Sequence, residues 1–169
     1  MGTFQLEMTI DRPRDDAFAV IADPTTMPLW YEAVEHVTKT SPGPAATGAT
    51  YEITRSLPGG EAHNTVEITE HEAHHRVTLE SRDGPTPFRY RYTLEPRPDG
   101  ATSIMLDGRI SGAGLPGPIG HLDPLATQLF KHGMRRNLAE LKRVIESTTA
   151  SAATPPQTSP RSARSDQNR

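Results

Sequence analysis

Two stretches of the sequence have spacings associated with chemistry. His71-Glu72-Ala73-His74-His75 matches H-E-x-x-H, in which two histidines four apart on one helix face bind zinc. Here Val66 and Ile68 precede the match and Val77 and Leu79 follow it, all at a period of two, so the histidines fall on a hairpin turn and no metal site is expected. Gly112-Ala113-Gly114-Leu115-Pro116-Gly117 matches G-x-G-x-x-G between a strand and a helix. A dinucleotide fold also needs a second parallel strand after that helix, and none follows; Pro116 removes a backbone donor besides. This segment reads as a loop, and no cofactor is expected. With no cysteine in the chain, thiol nucleophiles and cysteine-held zinc are excluded. There is no phosphate-loop lysine and no G-x-S-x-G elbow.

Side-chain alternation on the predicted strands is more informative. Phe88, Tyr90, Tyr92 and Leu94 share one face, with Arg89, Arg91, Thr93 and Glu95 on the other. Tyr51, Ile53 and Leu57 share a face with Arg55, a cation on an otherwise apolar stripe. Asn64 stands likewise beside Val66 and Ile68, and Ser81 beside Val77 and Leu79. A buried arginine without a partner is costly. Arg55 therefore reaches water at a strand end, pairs with an internal acid such as Asp107, or meets a polar ligand. Inward tyrosines together with Trp30 supply either core packing or a rigid apolar lining with hydroxyl tips, suited to a flat, oxygenated ligand. Phe130 and Met134 on the last helix would face the same space. No histidine or carboxylate lies on the apolar stripe, which weighs against acid–base catalysis.

The elements that position these residues follow from hydrophobic period and turn signals. Phe4, Leu6, Met8 and Ile10 alternate with polar residues as a first strand. Asp11-Arg12-Pro13 reads as a helix start capped by Asp11, Asp23-Pro24 ends that helix, and Thr25 to Tyr31 forms a second short helical piece. Breakers at Pro42-Gly43-Pro44, Pro58-Gly59-Gly60, Glu70–His75, Gly84-Pro85 and Pro98-Asp99-Gly100 separate six runs, about 33–41, 48–57, 62–70, 75–82, 87–96 and 101–110. Short connections favour antiparallel pairing, giving a sheet of about seven strands. Leu122, Leu125, Leu129, Met134, Leu138, Leu141 and Ile145 then recur at helical spacing over 121–147, an apolar stripe that must dock on the sheet. Residues 148–169 contain no large apolar side chain and are expected to be disordered, which leaves 1–147 as the folded domain.

This order, with the segment IDRPRDDAFAVIADPTTMPLWYEAVEHV, resembles the SRPBCC (START-like) superfamily, in particular its polyketide cyclase/dehydrase and lipid-transport branch. Pro13, Asp23-Pro24 and Trp30 stand where that family starts a helix, ends it and places a tryptophan before the second strand. Gly48-Ala49-Thr50-Tyr51, the YTLEPRPDGATSIML hairpin and LAELKRVIE also match. The resemblance spans roughly residues 3–147. It implies an α+β helix-grip fold, a seven-stranded antiparallel sheet curled around a long C-terminal helix, with a cavity between sheet and helix. It further implies a small hydrophobic ligand bound there, by Trp30, Tyr51, Arg55, Tyr90, Tyr92, Phe130 and Met134 on the face-sharing above. A polyketide cyclase/aromatase activity and a chaperone-activator or interaction role are the alternatives that the same superfamily offers.

The 169 residues suffice for one domain, and the net charge of −3 at pI about 6.2 argues against a nucleic-acid partner. No apolar run is long enough to span a bilayer, and the N-terminus shows no basic segment followed by an apolar one. A cytoplasmic monomer or homodimer is the expectation.

Overall fold

The computed structural model describes residues 2–57, 59–111 and 123–148, with only the backbone for 123–127. The Gly112–Gly120 loop and the tail beyond Thr148 lie outside the described residues. Seven strands, β1 (Gly2–Ile10), β2 (Val34–Lys39), β3 (Thr50–Leu57), β4 (Gly60–Glu72), β5 (Arg76–Ser81), β6 (Phe88–Pro96) and β7 (Thr102–Ile110), form one sheet. Its order is β1-β7-β6-β5-β4-β3-β2, antiparallel at every pairing. Consecutive strands are hairpin neighbours except β1, which crosses the whole sheet to pair with β7. Register shifts between Val34 and His36 and between Ile68 and Glu70 mark irregularities that bend and twist the sheet.

Helix α1 (Arg14–Ile21), a 3₁₀ segment (Pro24–Leu29) and the long helix α2 (Asp123–Thr148) lie against the sheet's inner face. The period-two runs put Leu6, Ile53, Ile68, Leu79, Leu94 and Leu106 on that face, each at most 7 % exposed. From α2, Met134, Leu138, Leu141 and Ile145 are buried against them. Leu129 departs from the expected stripe: it is 58 % exposed, because this part of α2 borders an open groove instead of the packed sheet. Leu122 lies outside the described residues, as does the side chain of Leu125.

The expected Asp11 cap is also corrected. Pro13 occupies the cap position with no side-chain hydrogen bond. The Asp11 N–H donates to Glu146 Oε1 at 2.9 Å, Arg12 Nη2 donates to the Glu146 carbonyl at 2.8 Å, and Thr102 Oγ1 donates to the Arg12 carbonyl. The β1–α1 turn is thus tied to the end of α2 and to β7. Asp23, by contrast, does cap the 3₁₀ segment, accepting from the Thr25 N–H at 3.0 Å.

His71 and Glu72 end β4, residues 73–75 make the turn, and Arg76 opens β5. The H-E-x-x-H match therefore lies on a hairpin, as its flanking period implies. Its histidines pack instead: the His71 and His74 rings sit 5.3 and 5.8 Å from that of Phe18, and His74 Nδ1 is 3.0 Å from Asp15.

Candidate functional site: a groove floored by Arg55

Strand alternation turns Arg55 inward on β3, and the structure buries it to 3 % exposure. Its Nη2 donates to Asn64 Oδ1 on β4 and to Thr86 Oγ1 at 2.6 Å in the β5–β6 connection. The guanidinium lies 5.7 Å from the centre of the Phe88 ring, while its Nε has no hydrogen-bond partner among the described residues. Asp107, the internal acid suggested by the sequence, is not its counter-ion. That carboxylate alternates to the outer face of β7 and accepts from Gln5 Nε2 at 2.9 Å.

Asn64 is itself fixed from behind. Its Nδ2 donates to the Asp83 carbonyl at 2.6 Å, and the Asp83 carboxylate accepts from the Thr65 N–H and hydroxyl at 2.5 and 2.7 Å. Those bonds hold the Asp83 carboxyl below its usual pKa. Gly84 has φ +94°, and a Cβ there would lie 2.0 Å from Asn64 Nδ2. Only glycine permits the connection to press this closely on Asn64.

Beside Arg55, the Tyr31 and Tyr90 hydroxyls meet at 3.3 Å. Tyr90 stacks on Phe88 with ring centres 4.6 Å apart, so Phe88 lies against both the Tyr90 ring and the guanidinium. Above this floor opens a groove of about 530 Å³ between the end of β3 and the first described turns of α2. Tyr31, Arg55, Leu57, Leu129, Phe130 and Met134 line it. On the rim, Asn137 Oδ1 accepts the Glu32 N–H at 3.1 Å and Arg136 pairs with the Glu32 carboxylate at 3.3 Å, tying the segment after the 3₁₀ turn to α2.

Of the residues singled out in the sequence, Arg55, Phe130 and Met134 line this groove directly, and Tyr90 backs it through Tyr31. Trp30 points elsewhere: its ring stacks on Tyr31 at 5.8 Å and its Nε1 donates to Thr26 Oγ1 at 3.3 Å. Tyr51 sits four residues back along β3, its ring 5.7 Å from the Lys39 ammonium. Tyr51 and Tyr92 are fully buried, each with a hydroxyl that has no partner among the described residues. Ser81 is structural, accepting the Phe88 N–H at 2.8 Å. Tyr31, Thr86 and the rim residues Glu32, His132 and Asn137 were not marked by the sequence pattern, because none lies on an alternating strand.

Residues 1–146 match the family described as polyketide cyclase / dehydrase and lipid transport. The chain belongs to this family. Solved structures of similar fold include the Zhui aromatase/cyclase from Streptomyces sp. R1128, at 13 % identity and TM-score 0.74 over 90 % of this chain and 98 % of that one. A START superfamily protein from Mycobacterium smegmatis matches at 10 % identity and TM-score 0.71, over 86 % of this chain and 98 % of that one. The di-domain aromatase/cyclase BexL from the BE-7585A biosynthetic pathway matches at 18 % identity and TM-score 0.68, over 88 % of this chain and 48 % of that one. Identities this low establish the helix-grip fold alone. Among curated proteins, none matches the chain. No helix among the described residues is long and apolar enough to cross a membrane.

In this polyketide cyclase/dehydrase family member the groove's polar groups have lopsided electrostatics. Burial draws the Arg55 guanidinium below its ordinary pKa, and the neighbouring Tyr31 and Tyr90 hydroxyls push it partly back. Burial raises the Tyr31 phenol, its bond to Tyr90 opposing the rise. Tyr90 and Tyr92 are raised too, again chiefly by burial. The hydroxyls are therefore neutral donors at physiological pH, and Arg55 keeps its charge. The floor can donate hydrogen bonds to a ligand oxygen, but among its described groups it has no base.

Proposed function

We propose that the protein binds a small, largely apolar molecule carrying oxygen functions, with its apolar body against Leu57, Phe130 and Met134 and its oxygen toward Arg55 and the Tyr31–Tyr90 pair. The supporting observation is Arg55: a buried guanidinium with no acidic partner among the described residues, lining a groove whose apolar side is formed by Leu57, Leu129, Phe130 and Met134. The groove's volume lies in the range of small-molecule sites. The reading is of a binding or carrier protein, and lipid transport is within what the family's description covers.

Titration with a planar fluorescent probe such as 2-naphthol tests this. Saturable one-to-one binding is expected. Met134→Trp, which extends an indole into the groove, should weaken it about tenfold or more, a loss of roughly 1.4 kcal/mol. Failure of the wild type to bind, or unchanged affinity in the folded variant, would overturn the assignment.

A second reading, a cyclase/aromatase acting on a poly-ketone chain, is favoured by the same convergence of donors. A neutral Tyr31 hydroxyl and a guanidinium lining one groove suit a carbonyl oxygen that gains charge in a transition state. Orientation of the folded chain would then supply much of the rate. Formation of a cyclised product from a poly-ketone analogue would select this reading. An interaction module would need a contiguous exposed apolar patch. Among the described residues the exposed large apolar side chains are Leu29, Met105 and Leu129, and Met105 lies on the sheet's outer face.

A further inference from the structure

The charge inventory around Arg55 narrows the ligand class. Each partner of the guanidinium among the described residues is neutral: an amide oxygen, a hydroxyl and an aromatic face. Among the described residues no carboxylate lies within ion-pairing distance of it. Asp83 spends its carboxylate on Thr65, Glu32 is paired with Arg136 at the rim, and Asp107 is on the far face of the sheet. The other titratable groups facing the floor are Tyr31, Tyr90 and Tyr92, neutral phenols, with His132 on the rim.

An unpaired buried cation is among the least favourable arrangements in a protein interior. Arginine cannot relieve it by releasing its proton at ordinary pH. A neutral ligand oxygen would give the guanidinium one more acceptor and leave its charge uncompensated. Resting on the reading of the groove as a ligand site, we propose that its occupant is a hydrophobic weak acid bound as its anion. The ligand would set a carboxylate, phenolate or enolate oxygen against Arg55 on an apolar skeleton. Tyr31 and Tyr90 supply the second contact: two hydroxyls share one hydrogen bond, so one O–H proton is left to donate to that oxygen. A charge-assisted bond of this kind is roughly twice as strong as its neutral counterpart.

The test uses the full chain and three matched probes: 2-naphthoate, 2-naphthamide and 2-naphthol. At neutral pH the naphthoate should bind about 10- to 100-fold more tightly than the isosteric amide. Arg55→Met should abolish that preference by weakening naphthoate alone, and Arg55→Lys should retain part of it. For 2-naphthol, the O–H bond breaks on binding and its proton passes to the buffer. The phenolate absorption band should therefore emerge at lower pH in the complex than in free solution. The naphthoate and naphthol arms distinguish a carboxylate from a phenolate ligand. Saturable binding of naphthoate and naphthamide with equal affinity to the wild type would overturn the anion proposal and leave the groove assignment standing. So would a naphthoate preference that survives in Arg55→Met. No binding of any probe would overturn both. The wild-type comparison decides the matter even where a variant fails to fold.

Discussion

Asn64→Leu is expected to destabilise the fold by about 3 kcal/mol, far more than the loss of one neutral hydrogen bond. Asn64 is 1 % exposed and joins two otherwise costly groups, the Arg55 guanidinium and the Asp83 carbonyl. Leucine has similar bulk but no acceptor, so Arg55 would stay buried with Thr86 as its remaining hydrogen-bond partner among the described residues. The effect has a signature that packing loss lacks. Arg55→Met alone should leave the stability of the empty protein level or raise it, since it removes a buried charge that no acid among the described residues compensates. The double variant should recover most of what Asn64→Leu loses. Urea unfolding of the two single variants and the double one reads out this cycle. Additive effects would mean that Arg55 is solvated from the groove and imposes no penalty.

Gly108→Val is the second substitution expected to be severe, at roughly 3 kcal/mol, from forced repacking in a filled interior. Gly108 faces Phe4 across one strand pairing and Tyr90 across the other. A Cβ at this position would lie 2.2 Å from Phe4 Cζ. The absence of a side chain lets the Phe4 ring lie over β7 and come within 6.3 Å of Tyr90, which stacks on Phe88 beneath Arg55. Valine suits a strand better than glycine does, so local propensity opposes the loss and the clash decides. Thermal unfolding should show the drop, with partial recovery when Phe4→Ala is added. An unchanged midpoint would show that Phe4 can move aside freely, and that the aromatic row does not hold the floor in place.

The sheet was legible because turn signals separate the strands and β3, β6 and β7 alternate buried with more exposed residues. Tyr51, Ile53 and Arg55, and Phe88, Tyr90, Tyr92 and Leu94, lie on the face that their parity assigns. The oddity of Arg55 was legible for the same reason. Its partners were harder to read. Thr86 belongs to a connection with no period, and the Asn64–Asp83 contact exists because that connection folds back across β4. Tyr31, which follows the 3₁₀ turn, stood in the shadow of Trp30, yet its hydroxyl is the one that reaches Tyr90. Helical period alone placed Leu129 in the core. Whether a helix face meets sheet or open groove depends on where the sheet ends, which is a tertiary fact. Asp11 looked like a cap until Glu146, distant in sequence, claimed its N–H.

The chain's five methionines offer a direct probe of where a ligand sits. Met134 lines the groove, Met27 is buried in the 3₁₀ segment, Met8 is half-buried on β1, and Met105 is on the outer face of β7. With methionine methyl groups labelled with carbon-13, titration by 2-naphthoate should shift the Met134 resonance saturably and leave Met105 and Met8 in place. A saturable shift at Met105 or Met8 with Met134 unmoved would contradict a groove floored by Arg55 as the binding site.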